Sequence, residues 1–328
     1  MGSPAGGEGM RGSGVTGTTI IRAKDYSPIW SPLALALWLG GIQFNALLII
    51  AALLLLPLRF ATAVFAMQLL AMLLPLSDTN KLGRKLSRFI CKYAVGYFPV
   101  TLHVEDINAF DPAQSYIFGY EPHSVVAIGF CAFAQDTGML PLPKIKILAS
   151  TALLSIPFLR QIWSWMGFVL ATRKSFYKYL EDGYSCLIVP GGVREILYMD
   201  DISEVAFLKA RKGFIKIAME TGRPLVPVFC FGQCKVFKWR KLNSTIATKI
   251  ARAIQFAPII FWGRYGSSIP FRHPMHVVVG RPIEVKKNPN PSMDEVNEVQ
   301  AQFISAMEEL FERHKGEAGY PDLNLRVL

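Results

Sequence analysis

Glu121-Pro122-His123-Ser124 closes an apolar run with a proline-anchored turn that carries an imidazole. The run before it, Tyr116 to Gly119, reads as a strand, and in open α/β sheets ligands gather beyond the carboxyl ends of the strands. A neutral imidazole at such a place can take a proton from a hydroxyl near pH 7, the step that attack on an acyl carbon requires. Taken alone, a lone histidine is more often structural.

A second strand-to-turn segment runs from Cys186 through Val189-Pro190-Gly191-Gly192 to Arg194-Glu195. Gly191 and Gly192 permit close backbone approach, which suits an oxyanion or substrate-binding turn, and Glu195 is a carboxylate able to orient an imidazole. Glycine pairs after strands also serve as plain turns. A third segment places Arg211 and Lys212 where a helix begins, with Phe214, Ile217, Ala218 and Thr221 on one face and Gly222 able to cap its end. Helix starts bind phosphates through free N–H groups, so this pair is a phosphate candidate; a solvated basic pair is the plain alternative.

The elements that must position these segments follow from periodicity. Short apolar runs at Val100–Val104, Tyr116–Gly119, Ile145–Ala149, Phe168–Ala171, Cys186–Val189, Leu225–Phe231 and His276–Val279 read as strands alternating with helical patterns. That alternation implies an α/β domain over 77–328, with a mainly parallel sheet covered by helices on both faces. Its last helix is announced by a capping box at Ser292 and Glu295 and by a stripe of Val296, Val299, Phe303, Met307 and Leu310.

Before the domain, residues 1–28 are rich in Gly, Ser and Thr and are expected to form a disordered tail. Residues 29–76 are expected to form a hydrophobic helical hairpin in a membrane, with runs at 33–56 and 60–76 broken at Pro57. At ~1.5 Å per residue a helix as long as the first run covers a bilayer core of ~30 Å. Arg11, Arg22 and Lys24 precede it, and Lys81, Arg84, Lys85, Arg88 and Lys92 follow, so both flanks are expected on the cytosolic side. A hairpin that spans and one that dips into a single leaflet both remain open. Asn80 to Tyr93 carries Leu82, Leu86, Phe89, Ile90 and Tyr93 at helical spacing among basic residues, either an amphipathic helix on an anionic membrane or a helix docked on the domain.

The whole chain of 328 residues is 52% hydrophobic with a net charge of +11, which points to anionic partners. Nucleic acid is not among those expected, because the basic residues form no arginine-rich arm or basic helix with stacking aromatics. The five cysteines are scattered without a CxxC, so neither a disulfide framework nor a thiolate zinc site is expected. His273 and His276 straddle a proline without acidic or thiol partners nearby, so no metal is expected. A serine hydrolase is disfavoured by the absence of a G-x-S-x-G elbow.

Taken in this order and spacing, Tyr97-Phe98-Pro99, Glu121-Pro122-His123-Ser124, Val189-Pro190-Gly191-Gly192 with Glu195, and the block from Arg211 to Gly232 resemble the acyl-CoA:diacylglycerol acyltransferases of type 2. That family also contains monoacylglycerol acyltransferases and wax-ester synthases and is distantly related to the glycerolipid acyltransferases. The resemblance runs over roughly residues 33–328. Animal and fungal members usually carry His-Pro-His-Gly at the turn; here Glu121 and Ser124 stand in the first and last places, a form associated with plant members. In the glycerolipid acyltransferases an aspartate follows the histidine five positions on. Here that position is Ile128, so the orienting carboxylate must come from elsewhere, with Glu195 the first candidate and Glu121 the second.

The resemblance implies a glycerolipid-acyltransferase-like fold and an O-acyltransferase that needs acyl-CoA as cosubstrate and no cofactor. It implies His123 as general base acting on the free hydroxyl of diacylglycerol, Gly191 and Gly192 at the oxyanion, and Arg211 and Lys212 on the CoA phosphates. No covalent acyl-enzyme is expected; a route through Cys131 or Cys186 is the less favoured alternative. Monoacylglycerol or a fatty alcohol is the alternative acceptor. The reading places the chain in the endoplasmic reticulum membrane, both termini cytosolic, with the lipid-droplet surface as a second location and room for a homo-oligomer. The C-terminal Leu323-Asn-Leu-Arg-Val-Leu328 resembles hydrophobic–basic retrieval signals. A different class of reading, a structural lipid-droplet protein held by its hairpin, leaves the α/β domain unexplained.

Overall fold

The computed structural model describes residues 18–23, 26–76, 80–140, 142, 144–242 and 259–328. At its centre is an eight-stranded sheet in the order β1-β2-β11-β8-β3-β6-β4-β5. The strands are β1 (Thr19–Arg22), β2 (Val100–Val104), β3 (Ile117–Glu121), β4 (Ile145–Ala149), β5 (Phe168–Leu170), β6 (Ser185–Ile188), β8 (Leu225–Phe231) and β11 (Met275–Val279). All neighbours run parallel except β1 with β2 and β8 with β11. β3 and β8 are buried along their whole length, as expected of central strands covered on both faces. The expected strands are therefore present, within a residue or two of their expected ends.

Helices flank the sheet on both faces. One face packs against α1 (Trp30–Trp38), α4 (Lys81–Tyr97) and α5 (Leu159–Trp165); the other packs against α6 (Arg173–Glu181), α8 (Gly213–Thr221) and α9 (Met293–His314). α4 buries Gly83, Ser87, Ile90, Cys91 and Ala94 at helical spacing and leaves Lys81, Arg84, Lys85, Arg88 and Lys92 outside. It is thus docked on the domain with its basic face outward. Its Asn80 cap accepts from the Leu82 N–H at 2.9 Å. In α9 both arms of the Ser292–Glu295 capping box are made.

Three sequence expectations change. The proposed tail of residues 1–28 contains β1, whose Thr19-Ile20-Ile21-Arg22 pairs antiparallel with β2 and covers that sheet edge. Four β-prone residues after a glycine-rich stretch are too few for periodicity to register. Residues 1–17 and Lys24 lie outside the described residues.

The apolar run over 33–56 is not one helix. α1 and α2 (Gly40–Leu55) meet at a 59° bend, and α3 (Leu58–Leu73) follows. Among the described residues no single helix is long and apolar enough to cross a membrane; the bent α1–α2 pair passes only when taken together. The bend arises because α1 belongs to the domain. Ala34, Leu35 and Trp38 are buried, and Trp163 Nε1 donates to the Trp38 carbonyl at 2.9 Å. Beyond Gly41, whose absent Cβ would sit 3.0 Å from Leu159 Cδ1, the chain leaves the domain. Asn45 Nδ2 donates to the Gly41 and Pro157 carbonyls. Leu53, Leu54, Leu55, Leu58 and Leu73 are exposed on the emerging segment.

The C-terminal hexapeptide is not a free signal. Asn324–Val327 is β12, parallel to β7 (Ser203–Ala206), and Arg326 Nη2 lies 2.6 Å from Asp200 Oδ2. The chain end is bonded in turn to Ala206 and Lys209.

Candidate active site

At the carboxyl end of β3 the chain turns through Pro122 and His123, and Ser124 adopts φ +54°, a left-handed conformation that favours glycine. This gives a physical reason for the glycine that relatives of the resembled family carry there. A buried glutamine braces the turn. Gln233 Nε2 donates to the Pro122 carbonyl at 2.7 Å, while its Oε1 accepts from Tyr120 Oη at 2.5 Å and from the Gly129 N–H at 2.8 Å. Sequence reasoning passed over Gln233, although its position just beyond the end of a buried strand was a usable signal.

His123 Nδ1 lies 2.8 Å from the Ser124 carbonyl oxygen. A carbonyl only accepts, so this contact selects the tautomer with hydrogen on Nδ1 and leaves Nε2 as the basic nitrogen. The expected partner of the ring, Glu195, is elsewhere. Its Oε1 accepts from the His123 backbone N–H and its Oε2 from the Phe207 N–H at 3.3 Å. Glu195 positions the main chain on which the imidazole is mounted, not the imidazole. Residue 195 opens away from the ring because it belongs to the one-turn helix α7 (Val193–Ile196), which sits behind the turn.

Glu121, the second candidate, does not reach the ring either. It is fully buried, and burial followed by the negative charge of Glu195 pushes its carboxyl well above the ordinary range. The two acids lie close enough for the charge of one to act on the other. Among the described residues neither Glu121 oxygen has a hydrogen-bond partner, so burial and the neighbouring charge together favour its neutral form.

His123 faces a cavity of about 470 Å³ whose wall is mainly apolar, with Phe130, Trp163, Phe168 and Phe261 among its members. Among the described residues its titratable members are His123 and Arg211. Ile42 of α2 joins the wall, so the segment that leaves the domain also touches the cavity. Gly192 lines it too, at φ +56°, beside Pro190 and Val193.

Gly191 lies just behind. A Cβ there would fall 2.2 Å from Glu195 Oε2. Gly191→Ala should therefore displace the carboxylate from the His123 N–H and lower turnover at least tenfold with the protein still folded. Unchanged turnover would show that the Glu195 contact is dispensable.

The basic pair divides. Arg211 Nη2 donates to the Gly191 carbonyl at 2.9 Å, and its guanidinium lies 5.3 Å from the Phe207 ring centroid, at the cavity. Lys212 Nζ instead donates to Asn297 Oδ1 of α9 at 2.6 Å and is not among the residues around the cavity. Adjacent positions at the start of α8 point in different directions, so the two cations do not act as one phosphate clamp. Cys131 and Cys186 lie outside the cavity wall, and burial raises both thiols, Cys186 to about 12. A covalent route through either lacks its thiolate.

Behind the site, Cys234 Sγ lies 2.8 Å from Glu204 Oε2, and burial pushes the Glu204 carboxyl from 4.5 up to about 7. Between those values the folded chain holds a proton that the unfolded chain has lost, so stability falls as pH rises through this window, by about 3 kcal/mol from this group. Glu204→Gln should consequently raise the melting temperature at pH 8 and give little gain near pH 5; a gain independent of pH would contradict the assignment.

An imidazole at a strand end, opening onto a mainly apolar cavity that a protruding hydrophobic segment helps to line, suits transfer between apolar substrates, and the relatives make the chain an acyltransferase. The chain belongs to the diacylglycerol acyltransferase family, whose model matches residues 52–327. Diacylglycerol O-acyltransferase 2 of Dictyostelium discoideum is 32% identical over 256 residues, covering 71% of this chain and 76% of the relative. The 2-acylglycerol O-acyltransferase 1 of Bos taurus is 32% identical over 255 residues, covering 71% and 74%. Among solved structures, the 1-acyl-sn-glycerophosphate acyltransferase PlsC of Thermotoga maritima is similar at a TM-score of 0.42 and 14% identity, covering 86% of this chain and 94% of that one. A likeness at that level says nothing of this chain's chemistry.

Proposed function

We propose that this acyltransferase esterifies the free hydroxyl of diacylglycerol with the acyl group of acyl-CoA, forming triacylglycerol, with His123 as general base. In this reading Nε2 removes the hydroxyl proton as the oxygen attacks the thioester carbonyl. The tetrahedral intermediate collapses with cleavage of the carbon–sulfur bond, and the imidazolium returns the proton to the departing CoA sulfur. No acyl-enzyme forms. Backbone N–H groups at the Gly191-Gly192 turn stabilise the oxyanion, and much of the acceleration comes from holding two substrates together. Arg211, without Lys212, offers charge to the CoA end.

The observation that carries the reading is the pairing of one imidazole with a mainly apolar cavity, whose volume of about 470 Å³ lies within the ~300–1,000 Å³ usual for ligand sites. The exposed leucines of α2 and α3, together with the basic outer face of α4, support association with the cytosolic leaflet of the endoplasmic reticulum or with a droplet surface. From there a water-insoluble acceptor enters past Ile42 while acyl-CoA arrives from the cytosol. Because α2 alone has 16 residues, about 24 Å at ~1.5 Å each, a dip into one leaflet fits better than a straight crossing.

A second acceptor class stays in view because a 2-acylglycerol O-acyltransferase relative is as similar as a diacylglycerol one. The test is an acceptor panel (diacylglycerol, monoacylglycerol, fatty alcohol) given with labelled acyl-CoA to microsomes from cells lacking their own neutral-lipid acyltransferases. Diacylglycerol should be the preferred acceptor. Preference for either of the others would replace the proposed substrate, and no consumption of acyl-CoA with any of them would reject the mechanism.

A further inference from the structure

On the other face of the sheet, residues far apart in sequence converge on one imidazole. Val100, Leu102 and Val104 of β2 point into the core on the cavity side, so strand alternation turns His103 toward α9. There its ring meets that of His314, in the last turn of α9, with centroids 4.6 Å apart. Glu317, three residues on, brings Oε2 to 4.0 Å from His314 Nδ1. One side-chain donor atom from each of His103, His314 and Glu317 falls within 4.8 Å of the others.

The opposite nitrogen of His314 is already fixed. Its Nε2 lies 2.8 Å from Glu105 Oε1, and Arg313 grips the same carboxylate with Nε at 3.0 Å and Nη2 at 3.2 Å. A carboxylate on one imidazole nitrogen, itself held by a cation, is the support that metal-ligating histidines characteristically have; it sets the tautomer and presents the other nitrogen to the ion. An ion pair alone accounts for Glu105 and Arg313. It does not account for a second imidazole and a second carboxylate closing on the same ring.

We infer that His103, His314 and Glu317 form a binding site for a divalent transition-metal ion, with zinc the best match to two imidazoles and one carboxylate. Bonds of ~2.0–2.2 Å to such an ion require the donor atoms to draw in by about an ångström or more. Glu317 can make that movement, since its side chain is 63% exposed on the turn after α9. Three protein ligands leave the fourth tetrahedral position to a solvent molecule. Joining β2 to the end of α9, the ion acts as a clamp on the fold. In register His103 is level with Glu121 but three strands away, roughly 14 Å at ~4.8 Å per strand, and on the opposite side of the sheet from the cavity.

The full chain, purified in detergent and stripped with a chelator, should bind one equivalent of Zn²⁺ in calorimetric titration and show the visible absorption of tetrahedral Co²⁺ when cobalt is supplied. Zn²⁺ should raise its melting temperature, and a chelator should reverse the rise. His314→Ala and the exposed variant Glu317→Ala should each weaken binding at least tenfold; Glu317→Ala leaves the core untouched and keeps the test valid if the histidine variant does not fold. No saturable binding, or binding unchanged in the folded Glu317→Ala variant, would overturn the site as an adventitious ion only. None of these readouts depends on acyl transfer, so the result is independent of the catalytic reading.

Discussion

His123→Ala should reduce triacylglycerol synthesis in microsomes by about 10²–10⁴-fold at unchanged protein level, the range that a positioned general base contributes. The ring is half-buried at the cavity, and its Nδ1 contact with the Ser124 carbonyl commits Nε2 to accepting a proton. Because the turn is held by Gln233 through the Pro122 carbonyl and by Glu195 through the main chain, removal of the ring should leave the fold intact. A melting temperature close to that of the unaltered protein is therefore part of the expected result. His123→Gln should be as inactive as the alanine variant, because an amide keeps a hydrogen-bonding shape but cannot carry the proton. Retained turnover in either variant would remove His123 from the chemistry.

The second large effect separates two buried acids that look alike in sequence. Glu195→Ala should lower turnover by about 10²-fold, whereas Glu121→Gln should remain within a few-fold of the unaltered enzyme. Removing the Glu195 carboxylate strips the acceptor from the N–H groups of His123 and Phe207. Each buried group left without a partner costs about 1–3 kcal/mol, and a shift of ~1 Å in a reacting group can cost about 10²-fold in rate. Glu121, by contrast, is held neutral by burial and by its neighbour's charge, so a glutamine of the same shape keeps that neutral state. Kinetics at saturating acyl-CoA, with melting temperatures as control, decide the matter. If Glu121→Gln proves as damaging as Glu195→Ala, the proton between the two acids is mobile and takes part in turnover.

The opposite roles of these acids show what local pattern reveals. Both Glu121 and Glu195 were candidates to orient the imidazole, because a carboxylate near a strand end is the residue type that task needs. Direction was not legible. Whether Glu195 bonds the ring or the main chain of residue 123 depends on how α7 sits against the turn 72 residues away. The same holds for Arg211 and Lys212, adjacent in sequence yet divided between the cavity and α9. Gln233 carries no catalytic signature, yet it ties β3, the Pro122 turn and Gly129 together.

Periodicity and chemical type, which are properties of neighbouring residues, sufficed for the buried strands, the capped C-terminal helix, the basic amphipathic α4 and the His123 turn; the family came from the resemblance of its motifs. Alternation and helical spacing record which face of an element is apolar, and that record is local. What long-range packing decided was different: β1 completing the sheet edge, the bend between α1 and α2, the C-terminal strand on β7, and the meeting of His103 with His314 and Glu317. Each depends on strand register or helix docking between segments separated by tens to hundreds of residues, and a register is set by the summed fit of two surfaces rather than by either sequence alone. The imidazole was visible in the sequence because the turn that carries it is short; the cavity it faces, assembled from several elements at once, existed only after folding.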